Sequence, residues 1–135
     1  MGDRANVAIV QHQVDGESGA VFLYTHSEGT NLPFHVQAAL ARGKERWDQE
    51  AYLARIIFAE MIQDDLFDDA GFGIALSPPD NQHAIIVVDC AWRTVGFTFG
   101  KLDACHRLWG FDQYIRLPEA DLQRAFANPP SVEDP

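Results

Sequence analysis

The longest stretch with helical periodicity runs over residues 48–63, DQEAYLARIIFAEMIQ. Plotted at about 100° per residue, Asp48, Gln49, Glu50, Arg55, Glu60 and Gln63 fall on one side. Tyr52, Leu53, Ile56, Ile57, Ala59, Met61 and Ile62 spread over more than half the circle, with Phe58 near the boundary. This pattern predicts a helix mostly swallowed by its neighbours, N-capped by Asp48 and covered by a broad apolar surface. The rest of the chain supplies that surface as strands. Residues 6–13 alternate weakly, with Val7 and Ile9 opposite Ala8 and Val10, and β-branching favours a strand. Val21, Leu23 and Thr25 alternate with Phe22, Tyr24 and His26 over 20–26, and Asp15-Gly16-Glu17-Ser18-Gly19 between the two runs reads as a hairpin turn.

Ser27-Glu28-Gly29-Thr30-Asn31 breaks the second strand, and Pro33 opens a helix that extends to Arg42 and ends at Gly43. The short link to residue 48 makes the two helices neighbours. Residues 72–76 and 95–99 read as strands, and HAIIVVDC over 83–90 is the most apolar of all, as expected of a central strand. These three are expected to form an antiparallel meander. Residues 101–108 read as a helical turn and 111–116 as a short edge strand, before Pro118-Glu119 starts a last helix reaching Phe126. The pattern therefore predicts an α+β fold with a single domain over 1–127. An antiparallel sheet, made of an N-terminal hairpin and a C-terminal meander, packs against two central helices in the order ββααβββ, followed by a C-terminal helix. Three prolines among residues 128–135 predict a flexible tail.

Charge changes the picture more than length does. The chain has 135 residues and a net charge of −10, from 20 acids and 10 bases. That balance disfavours direct binding to nucleic acid, whose phosphates demand Lys and Arg. Seven acids (Asp48, Glu50, Glu60, Asp64, Asp65, Asp68 and Asp69) face one base, Arg55, between residues 48 and 69. Such a patch is either a solvated face or a phosphate-like row offered to a basic, nucleic-acid-binding protein. No stretch approaches the roughly 20 apolar residues that cross a bilayer, and the N-terminus has no secretory pattern, so a cytoplasmic location without membrane contact is expected. Cys90 and Cys105 are too few for a disulfide framework and read as small, reduced hydrophobes.

RANVAIV, VFLYTHSEGTNLP, ALARGKERWDQEAYLARIIFAEM and GFGIAL followed by DNQHAIIVVD resemble a family of small uncharacterised proteins from bacteria, phages and other mobile elements. The resemblance covers roughly residues 4–90. It implies no activity, cofactor or site. Where that family has an aromatic residue and glycine after the strand ending in Tyr24-Thr25-His26, this chain has Ser27-Glu28-Gly29.

Candidate chemistry is sparse. Tyr24 and His26 share a face at a strand end beside a glycine-containing loop, a place where polar groups converge on ligands or merely cap a sheet. A catalytic role would need a carboxylate, and Asp80 and Asp89 are the candidates. Cys90, Cys105, His106 and His83 are of metal-ligand type, but no spacing joins two of them in one site. Gly71-Phe72-Gly73 is a fragment of a phosphate loop without the remaining glycine or the Gly-Lys-Ser/Thr. No catalytic set, metal or cofactor is assigned. Trp47, Trp92 and Trp109 read as interface anchors or as packing residues, and a Trp just before a helix more often packs as a staple. Two classes of function follow. The first is a non-catalytic interaction protein that acts on a protein partner through Tyr24, His26, Trp47, Asp64, Asp65, Asp68 and Asp69. In the mobile-element setting that the resemblance implies, it would adapt or inhibit a host protein. The second is a small ligand-binding domain or enzyme with a pocket at the 24–31 loop.

Overall fold

The computed structural model describes residues 2–12, 18–78 and 81–127. Its strands are β1 (Ala5–His12), β2 (Ser18–Thr25), β3 (Phe72–Ala75), β4 (Ile85–Asp89), β5 (Thr94–Thr98) and β6 (Arg107–Gly110). Its α-helices are α1 (Leu32–Arg42), α2 (Glu50–Ile62), α3 (Phe111–Tyr114) and α4 (Glu119–Ala127). The strands make one sheet in the order β3-β2-β1-β4-β5-β6. This is the α+β architecture that the pattern predicts, with its N-terminal hairpin, paired central helices and C-terminal helix. Residues 15–17 of the predicted turn, Asp80 and the predicted tail over 128–135 lie outside the described residues.

Three placements differ from expectation. The first concerns β3, which leaves the meander and pairs antiparallel with β2, Phe72 opposite Thr25 and Ala75 opposite Phe22. β4 instead runs parallel to β1, with Val7 beside Ile86 and Val10 beside Asp89. A parallel pair needs a long crossover, and the chain from β2 through β3 supplies it. The apolar run of β4 is central as expected, flanked by β1 and β5. The second difference lies in the segment that read as a helical turn and an edge strand. Arg107–Gly110 is the edge strand, with Trp109 opposite Val95, and residues 111–114 form one helical turn. Gly110 N–H donates to the Gln113 side chain at 2.9 Å and Phe111 N–H to Arg93 O at 2.8 Å, which swings the chain out of the sheet.

The third difference is the burial of α2. Only the stripe Leu53, Ile57 and Met61 is fully buried, whereas Ile56, Phe58 and Ile62 are half-buried and Tyr52 is 59% exposed. Asp48 does not cap the helix; Gln49 occupies that position and its side chain makes no capping bond. The cause is lateral packing. A 3₁₀ turn over Lys44–Arg46 lays α2 beside α1, and Arg42 of α1 donates to Ile56 O at 3.3 Å. One stripe of α2 therefore faces the core while the opposite side faces solvent.

Register assigns the two faces of the sheet. Val7, Ile9, Leu23, Ile86, Val88, Val95 and Phe97 share the face that joins the buried residues of α1, α2, α3 and α4 in one apolar core. The Phe97 ring meets Trp109, Phe126 and Tyr114 edge to face at 5.1, 5.2 and 6.4 Å. Tyr114 O–H donates to Pro33 O at 2.8 Å, and the Gln37 amide donates to Tyr114 O and Leu117 O, tying α1 to the C-terminal segment. Burial pushes the Tyr114 phenol well above its ordinary pKa. Ala8, Val10, Phe22 and Val87 point to the other face and stand outside this core.

Candidate interaction surface

At the end of β2, Thr25 is buried and its hydroxyl accepts Glu28 N–H at 3.0 Å, turning the chain away from the sheet. Tyr24 Oη lies 3.3 Å from His26 Nδ1, which Arg4 Nε approaches at 3.5 Å. The adjoining loop is laced to the N-terminus. Asp3 N–H donates to His26 O, Gly29 N–H to Asp3 O and Thr30 N–H to Asp3 Oδ2, at 2.7, 2.8 and 2.9 Å. His83 Nε2 meets Asp3 Oδ1 at 2.5 Å, and its ring stacks on Phe126 at 5.1 Å. A Cβ on Gly29 would lie 2.6 Å from Asp3 O, so only glycine allows this approach.

Asp89 does not complete a catalytic set with Tyr24 and His26. Tyr24 is level with Asn6 on β1 and Asp89 with Val10, which separates them by about 13 Å along the strand direction. Asp80 lies outside the described residues. Trp47 is inside the protein, 7% exposed, with its indole N–H donating to Leu40 O at 2.9 Å and its ring edge-on to Phe111 at 5.2 Å. It staples α1 to the C-terminal segment and offers no surface to a partner. Cys90 is buried and its thiol is pushed up to about 12, first by burial and then by the charges of Glu50 and Asp89, so it is inert as a nucleophile at neutral pH.

The Asp3 clamp carries a pH dependence. Partial burial raises the Asp3 pKa, but hydrogen bonds from His83 and Thr30 and the His83 charge outweigh it, leaving the carboxyl below its ordinary value of 3.8. A depressed acid stabilises the fold above its unfolded pKa, and that contribution is lost as the pH falls through the lower folded value. Exchange of the Gly29 and Thr30 amides is therefore expected to accelerate, relative to core amides, below about pH 4. Hydrogen exchange measured against pH checks this, and Asp3→Asn should remove the acid-induced step; a step that survives in Asp3→Asn would assign it elsewhere.

The other candidate residues follow α2. Asp65 N–H donates to Ile62 O at 2.8 Å and Asp68 N–H to Asp65 O at 3.1 Å, so two successive turns carry Asp64, Asp65, Leu66, Phe67, Asp68 and Asp69. Leu66 is 62% and Phe67 91% exposed, each next to aspartates. Leu66 also closes a 400 Å³ groove along the outer side of α2, lined by Arg55, Phe58, Ala59, Ile62 and Gln63. The Asp65 carboxyl titrates above its ordinary range, from local desolvation, a hydrogen bond and repulsion with Asp68, and the charges of Asp64 and Glu28. Glu28 belongs to the 24–31 loop, and His26 N–H donates to Gly71 O at 2.8 Å. The structure thus brings the Tyr24–His26 region and the acidic segment onto adjoining loops and leaves Trp47 apart.

Leu66, Phe67 and Glu28 were not among the residues that the sequence singled out. The signal was present: two large apolar residues in series, bracketed by aspartates and beyond the end of a periodic segment, have no core face to join. Compared with known proteins, the chain matches no family model, no curated protein and no solved structure. Among the described residues, no helix is long and apolar enough to cross a membrane, and no group of three or more His, Cys, Asp or Glu side chains is placed to hold a metal ion.

Proposed function

We propose that this protein is a non-catalytic interaction protein that docks a basic protein partner on the acidic segment following α2. The observation that carries the reading is the exposure of Leu66 and Phe67 amid Asp64, Asp65, Asp68 and Asp69, beside the α2 groove. Exposed aromatic and aliphatic side chains supply contact energy when a partner desolvates them, while the carboxylates steer a positively charged surface and set its orientation. The raised Asp65 pKa supports this, because a cation arriving among crowded carboxylates relieves their repulsion. A nucleic-acid-binding host protein is the kind of partner that fits, and a phage or mobile element is the setting in which such an accessory or inhibitor would act.

Capture from bacterial lysate, followed by binding kinetics with the captured protein, tests the proposal. Phe67→Ala is expected to weaken binding about 30-fold or more, as for a hot-spot ring, while stability changes by less than about 0.5 kcal/mol at so exposed a position. Replacing the four aspartates by Asn is expected to slow association and flatten its salt dependence, since steering is screened within about 10 Å at 0.1 M salt. The Asn variant should lose little stability, because Asp64, Asp68 and Asp69 are exposed and the substitution removes the repulsion between Asp65 and its neighbouring carboxylates. Unchanged affinity in Phe67→Ala, together with an unchanged salt slope in the Asn variant, would refute the assignment.

A further inference from the structure

On the face of the sheet opposite the helices, Val87, Gly96 and Leu108 lie side by side on β4, β5 and β6. Gly96 leaves a gap that the β5–β6 connection enters: a Cβ at this position would sit 2.6 Å from Cys105 Sγ and 2.9 Å from Arg107 O. Thr98 fixes that connection, its hydroxyl donating to Lys101 O at 2.9 Å and accepting Gly100 N–H at 3.0 Å. The β4–β5 turn closes the other side. Asp89 Oδ1 accepts Ala91 N–H and Trp92 N–H, both at 3.0 Å, and Arg93 completes the turn with φ of 55°. Between these two connections lies a cavity of 360 Å³, within the size range of small-molecule sites.

Its lining is chemically one-sided. Val87, Leu102 and Leu108 are apolar, Asp89 and Asp103 are acidic, and among the described residues no Lys or Arg lines it. Trp92, also in the wall, is 76% exposed, and among the described residues no ring or cation stacks on it. Burial raises the Cys105 thiol in the same wall, and the charges of Asp103 and Asp89 raise it further. An open indole face attracts cations through its quadrupole, and carboxylates beside an apolar floor add to that attraction. We propose that this cavity binds a small organic cation, an alkylammonium whose chain lies on Val87, Leu102 and Leu108 and whose head sits between the Trp92 ring and the Asp103 carboxylate. The site is on the opposite side of the sheet from the α2 core stripe and shares no residue with the acidic segment, so it stands or falls independently of the proposed partner surface.

The test is isothermal titration of the whole chain with n-hexyltrimethylammonium, n-hexanol and n-hexanoate, with the Trp92 indole N–H followed by NMR. Saturable binding is expected for the ammonium, with weaker binding of the alcohol and none of the carboxylate. Trp92→Ala and Asp103→Asn, both at exposed positions, are each expected to weaken the ammonium about two- to fivefold without changing the melting temperature. Binding of hexanol as tight as that of the ammonium, ammonium affinity equal in wild type and both variants, or no saturation would each overturn the proposal. Asp64→Asn, remote from the cavity, should bind the ammonium like wild type; a comparable loss there would reduce the effect to the chain's overall negative charge.

Discussion

Phe97→Ala is expected to cost about 3–5 kcal/mol, a large share of the roughly 5–15 kcal/mol that holds a domain of this size together. Phe97 is fully buried on β5, between Ile86 of β4 and Arg107 of β6 in register. Three rings surround it, and they are not free to collapse into the space that Ala would leave. Tyr114 is held by its bond to Pro33 O, Trp109 by the pairing of β6, and Phe126 by the stacked His83 ring. The loss therefore contains a cavity contribution on top of the transfer energy of the ring. It should also loosen α4, whose Phe126 supports the His83 that grips Asp3. Urea unfolding measures the total, with amide exchange at Gly29 as the distant reporter. A loss under about 1 kcal/mol would mean that the aromatic cluster repacks freely, contrary to this account.

What could be read from the chain divides along the range of the interactions that decide it. The antiparallel pairing of β1 and β2 was legible because alternation is local, although Ser18 and Gly19, read as turn residues, belong to β2. The central place of β4 was legible because Ile85, Ile86, Val87 and Val88 leave no polar side to turn to solvent. The parallel partner of β4 was not, since Val7 and Ile86 are brought together only after two helices and two strands have been laid down. β6 was hidden for a related reason: Arg107, Leu108, Trp109 and Gly110 form a strand because β5 offers them an edge, and four residues carry little pattern of their own. Among the site candidates, Asp64, Asp65, Asp68 and Asp69 were legible as a charge run. Trp47 and Trp92 were not distinguishable, because which indole faces out depends on α1 and Phe111 in one case and on a four-residue turn in the other. The Asp3–His83 contact spans 80 residues and leaves no mark on the local sequence.

Along α2, Ile57→Ala is expected to cost about 2–5 kcal/mol, while Ile56→Ala one position away should cost distinctly less. The contrast separates the observed helix from the one that its composition suggests. The pattern of residues 48–63 is apolar over more than half its circumference, and a helix buried to that extent would lose comparable free energy at Ile56, Ile57 and Tyr52. In the structure only the stripe through Ile57 is closed on every side, Ile56 lies against Gly43 and α1 with part of its surface open, and Tyr52 projects into solvent near the Arg46 guanidinium. Tyr52→Ala is accordingly expected to lose no more than about 1 kcal/mol, the scale of an exposed cation–π contact. Glu60→Ala should fall within about 0.5 kcal/mol, because its contact with Arg42 at 3.5 Å is a long, partly solvated ion pair. Denaturant unfolding of the four variants ranks them directly. Equal losses at Tyr52 and Ile57 would require another element to cover the outer side of α2, and the groove beside Leu66 would then be closed to a partner.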